Sequence, residues 1–60
     1  MTEREQRVVN AFYKAYLEGD YLPRGIVIAV EDDQRFGWMS DAAKQELYRR
    51  IEAHETGGDR

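Results

Sequence analysis

Cysteine is absent from this 60-residue chain, and histidine and proline each occur once. Without thiols there can be no disulfide and no thiolate metal centre, and His54 alone cannot assemble an imidazole site, so no metal or other cofactor is expected. Long apolar runs are missing too. The most apolar stretch, Ile26-Val27-Ile28-Ala29-Val30, falls far short of the ~18 to 20 residues that span a bilayer, and the charged segment Thr2 to Arg7 has no apolar h-region behind it. A cytoplasmic protein with no membrane contact is the expectation. Positive charge is also scarce: nine Lys and Arg face twelve Asp and Glu, for a net charge of -3. That balance argues against nonspecific attachment to nucleic acid or anionic lipid, which requires clustered cations.

What is present describes a folded chain. The composition is 42% hydrophobic, and Phe12, Tyr13, Tyr16, Tyr21, Phe36, Trp38 and Tyr48 are spread along most of the length, which does not suit a disordered acidic tail. The length provides for one small domain over residues 1–60, with 56–60 expected as a frayed tail. A domain this size buries only about 60% of the surface its unfolded chain exposes, so it depends on good packing or on a partner.

Two helices are legible. Thr2-Glu3-Arg4-Glu5 fits a capping box, in which the Thr2 hydroxyl accepts from the Glu5 amide and the Glu5 carboxylate accepts from the Thr2 amide. Val9, Phe12, Tyr13 and Tyr16 then follow i, i+3, i+4, i+7 spacing, with Val8 and Leu17 widening the stripe, and Gly19 supplies a left-handed C-terminal cap. This predicts a helix over about residues 3 to 18. Ser40 is a favoured N-cap for a second helix, Asp41 meets its positive end, and Ala43, Leu47 and Ile51 recur every four residues, with Glu46 placed to pair with Arg49 and Arg50. The pattern continues to His54 and Gly57-Gly58 ends it.

Between the helices the β-branched run 26–30, preceded by Pro23 and Gly25, favours a strand, with a polar turn at Glu31 to Gln34 and a second strand across Arg35 to Met39. The expected fold is therefore α+β, in the order helix, strand, strand, helix. The alternative is a three-helix bundle, with a short helix from about Pro23 to Asp33 that uses Pro23 near its first position and Ile26 with Val30 as an i, i+4 pair. In the hairpin, Ile26, Ile28, Val30, Phe36 and Trp38 form a core face, while Val27, Ala29 and Met39 point to a face that nothing covers.

No catalytic constellation stands out. Ser40, Asp41 and His54 supply the residue types of a triad, but Ser40 is better explained as a cap, and His54 as a partly exposed residue near a helix end. Glu31-Asp32-Asp33 lacks the alternating ligand spacing and distal Glu of a calcium loop. Its simplest role is a solvated turn; its functional alternative is recognition, reinforced by Glu18 and Asp20, which oppose the dipole of the first helix. Lys44, Arg49 and Arg50 make the second helix a conceivable DNA-recognition helix, but Asp41, Glu46 and Glu52 interrupt the positive face.

The expected function is a non-enzymatic module whose acidic surface binds a larger protein with a basic site. By analogy with small phage-encoded antagonists, its carboxylates would occupy places where phosphates otherwise sit and so block a nucleic-acid-binding site. Glu18, Asp20, Glu31, Asp32 and Asp33 are the candidate partner-binding residues, and Val27 and Met39 a possible interface, including that of a homodimer. The rival readings are a small helix-turn-helix-like transcriptional regulator and a structural oligomer subunit.

Overall fold

The computed structural model describes residues 1–57, which form four helices: α1 (Glu3–Leu17), α2 (Pro23–Val30), α3 (Asp33–Phe36) and α4 (Asp41–Gly57). The described residues contain no strand, so the α+β expectation is replaced by a small helical domain close to the three-helix alternative. The expected tail at 56–60 is in part helical as well, since Thr56 and Gly57 belong to α4, while 58–60 lie outside the described residues.

Local chemistry sets both long helices. The Glu5 amide donates to Thr2 Oγ1 at 3.1 Å and the Thr2 amide donates to Glu5 Oε1 at 2.8 Å, completing the capping box. At the other end of α1, Gly19 has φ 86°, its amide donates to the Tyr16 carbonyl and the Asp20 amide to that of Ala15. This is the double closure that a left-handed residue permits. The Ala43 amide donates to Ser40 Oγ at 3.2 Å, so Ser40 caps α4 as its position predicts.

The hairpin fails for a tertiary reason. Ile26 and Val30, one helical turn apart, are fully buried in a core shared with Val9, Met39, Ala43, Leu47 and Ile51, and that burial outweighs the modest helix cost of β-branched residues and Gly25. Pro23 at the first position begins the helix behind an extended Leu22. The segment expected as the second strand is not a strand either: Asp32 Oδ1 accepts from the Gln34 amide at 3.0 Å and starts α3, which Gly37 caps. A Cβ on Gly37 would stand 2.5 Å from the Asp33 carbonyl oxygen, too close for any other residue without backbone movement.

Helical rotation also redistributes the side chains. Ile28, expected in the core, is 67% exposed, and Met39, expected on an open face, is core at 5%. Trp38 is not core either; it is 37% exposed, with its indole N–H donating to the Arg35 carbonyl at 2.9 Å and the Arg4 guanidinium 3.9 Å from its ring centroid. Leu17, assigned to the apolar stripe of α1, is half exposed.

Contacts between α1 and α4 fix their direction. Glu5 meets Ser40, Asn10 meets Arg50, and Tyr16 meets Glu55, so the two helices run parallel and the intervening α2–α3 segment carries the chain back to the starting end. Parallel neighbours require such a return. It lays α2 along α4, and that placement creates the surface described next.

Candidate functional site

Pro23 and Val27 on α2, with Tyr48, Ile51, Glu52 and Glu55 on α4, line a groove of about 270 Å³. Its floor is apolar because α2 is apolar on nearly every side while its roughly two turns have only one face to bury. Ile26 and Val30 take the core positions, which leaves Val27 at the groove and Ile28 and Leu22 exposed elsewhere on the surface. Its rim is acidic. Among the described residues the Glu52 side chain makes no hydrogen bond or ion pair, and the Glu55 carboxylate accepts from the Tyr16 hydroxyl. Partial burial, then that hydrogen bond and then the Glu55 charge, raise the Tyr16 pKa to about 12. Tyr48 shifts in the same direction through burial and its 2.7 Å hydrogen bond to Glu31.

The predicted acidic residues are not one surface. Glu31 is the C-cap of α2, bonded to Tyr48 and 3.8 Å from the buried Lys44 ammonium, and Asp32 is the N-cap of α3. Asp33, Glu18 and Asp20 are exposed and, among the described residues, make no side-chain bond or ion pair. Asp33 follows α2, whereas Glu18 and Asp20 precede it, so these carboxylates bracket the helix that forms one wall of the groove. Of the possible interface pair, Val27 is in the groove and Met39 is beneath the surface.

Other candidates have structural work. Arg50 contacts Glu46 at 3.0 Å and Asn10 at 3.0 Å, Arg49 reaches Glu46 at 3.4 Å, and Lys44 is buried, so the cations of α4 do not form an open stripe for phosphates. Ser40 and His54 lie roughly 20 Å apart along α4 at 1.5 Å rise per residue, which separates the would-be triad. His54 is exposed and meets Tyr16 edge-on, with ring centroids 5.4 Å apart. Among the described residues no three carboxylate or imidazole side chains gather into a metal-binding group, and no helix is long and apolar enough to cross a membrane.

Two features escaped the sequence reading. One is the groove, whose signal was the run 26–30 itself: read as a helix, it carries more apolar surface than one face can hide. The other is the second bond of Glu5, whose Oε2 accepts from the Ser40 amide at 2.7 Å. The Ser40 and Thr2 amides together hold this carboxyl well below the usual range, from 4.5 down to about 2. No sequence signal marks a contact between residues so far apart in the chain. No protein-family model matches this chain, and neither a curated protein nor a solved structure shows significant similarity to it.

Proposed function

We propose that the protein is a non-enzymatic binding module that engages a basic surface of a larger protein through the α2–α4 groove and the carboxylates around it. The carrying observation is the apolar seam, exposed at Val27, part-exposed at Pro23 and Tyr48 and floored by the buried Ile51, with Glu52 and Glu55 on its rim. A domain of this size gains little from leaving such side chains in water, whereas a partner would bury them. The acidic rim adds selectivity, since it repels acidic competitors and attracts Lys and Arg. Regulation or inhibition of the partner, by occupying a site otherwise used for nucleic acid, is the role such a module serves.

Capture from the native host with the parent and Val27→Lys in parallel tests this. A protein retained by the parent, lost by Val27→Lys and displaced by duplex DNA is the expected result. Identical captures by the two proteins would remove the groove from the interface.

A further inference from the structure

We infer that the groove receives an α-helix of the partner whose apolar stripe is bordered, on the side facing α4, by Lys or Arg. This rests on the protein-binding reading above and specifies its occupant. The walls determine the shape: Pro23 and Val27 lie one turn apart on α2, and Tyr48 and Ile51 one turn apart on α4, so two apolar ridges enclose a furrow into which the ridge of a third helix can pack. The walls also determine the backbone. At Val27 and from Tyr48 to Glu52 both walls are helix interior, whose amides and carbonyls pair along the helix, and the described residues offer no sheet edge, so an extended peptide would lay unpaired N–H and C=O groups over an apolar floor. A helical segment arrives with its own backbone bonds made.

The charges determine the flanks. Glu52 and Glu55 stand on the α4 wall, and Glu52 has no cation within reach among the described residues. On the outer side of α2, Arg24 is exposed, forms no ion pair among the described residues, and lies one turn before the exposed Ile28. A bound helix is therefore favoured with cations over α4 and neutral or acidic residues over α2, which also orients it.

The probe is a labelled helical peptide of about 14 residues, long enough to form a helix on a surface, with Leu at i, i+3, i+4, i+7 and Lys elsewhere, beside a counterpart carrying Glu in place of Lys. Anisotropy should show the parent binding the Leu–Lys peptide and not the Leu–Glu peptide. Glu52→Lys should weaken the Leu–Lys complex about five- to tenfold, as expected when an exposed attraction becomes a repulsion. Glu3→Lys makes the same change of net charge at the opposite end of the parallel α1–α4 pair, where Glu3 is exposed and among the described residues bonds only Arg7, and should leave binding within about twofold of the parent. Val27→Lys should abolish it. Circular dichroism confirms that each variant is folded.

Equal losses in Glu52→Lys and Glu3→Lys would reduce the effect to general electrostatics and overturn the inference, as would unchanged binding by Val27→Lys. If the parent ignores both peptides yet still captures a host protein through Val27, the module stands and its helical occupant does not. If sedimentation shows the parent to be a dimer that Val27→Lys dissociates, the occupant is a second copy and the inference fails.

Discussion

At the corner where α1 and α4 begin, the Glu5 carboxylate accepts from the amides of Thr2 and Ser40, whereas near the end of α4 Glu52 borders an apolar groove and bonds to neither amide nor cation among the described residues. The side chains are chemically identical. What separates them is supply: a helix N-terminus has unpaired N–H groups that a carboxylate satisfies, while the middle and end of a helix have none to offer. Acidity near the start of a helix is therefore absorbed into the fold. Acidity beside an apolar seam stays available for an external partner.

The comparison breaks most severely if the shared core is lost. Leu47 is fully buried on α4 between the two regions, and Leu47→Ala should cost about 2 to 5 kcal/mol, a large part of the stability of so small a domain. Urea denaturation should show the variant unfolded or nearly so, and a midpoint close to that of the parent would mean the α1–α4 packing is wrong. Glu5→Ala breaks the first region alone, because it leaves the Ser40 and Thr2 amides without their acceptor. Its thermal midpoint should fall clearly, more than that of any other single carboxylate substitution, and an unchanged midpoint would reduce the corner to coincidence.

Acid titration sharpens the same point. The folded carboxyl titrates near 2 and the unfolded one near 4.5, so the unfolded chain binds the extra proton between those values. The contribution of Glu5 is thus complete above about pH 4.5 and is lost as pH falls through about 2. The parent should lose stability in that window and Glu5→Ala should lose less; superimposable acid profiles would refute the assignment.

Trp38→Ala should be milder than a core truncation. The indole is partly exposed and stacked under Arg4, an arrangement worth about 0.5 to 1 kcal/mol at such sites, compared with ~3 to 5 kcal/mol for a buried Trp. A variant that fails to fold would return Trp38 to the core. The smallest effects belong to the groove: Glu52→Lys should alter stability by no more than about 0.5 kcal/mol, while shifting peptide preference. A large destabilisation would make Glu52 a structural residue and erase its contrast with Glu5.

The parts of this molecule that were readable residue by residue share a short range. The Thr2–Glu5 box, the Gly19 closure, the Ser40 cap and the Glu46 pairs each join residues within five positions of one another, and Ala43, Leu47 and Ile51 announce a buried face by period alone. The run 26–30 was different. Its β-branched residues suit a strand and its Ile26–Val30 spacing suits a helix, so local preference left the choice open and pointed the wrong way. The candidate site inherited that error, because alternation placed Ile28 inside and Met39 outside, the reverse of what helical rotation produces.

The sequence by itself therefore determined the two long helices and, apart from the C-terminal end of α4, where they start and stop, because hydrogen bonds to near neighbours and a 3.6-residue apolar period need no knowledge of the rest of the chain. Only the tertiary structure decided the conformation of residues 23–39, the parallel course of α1 and α4, the Glu5–Ser40 bond and the groove between α2 and α4. Each of these depends on which distant surface is near enough to exclude water or complete a bond, and for a short apolar run that burial outweighs the small differences in backbone preference.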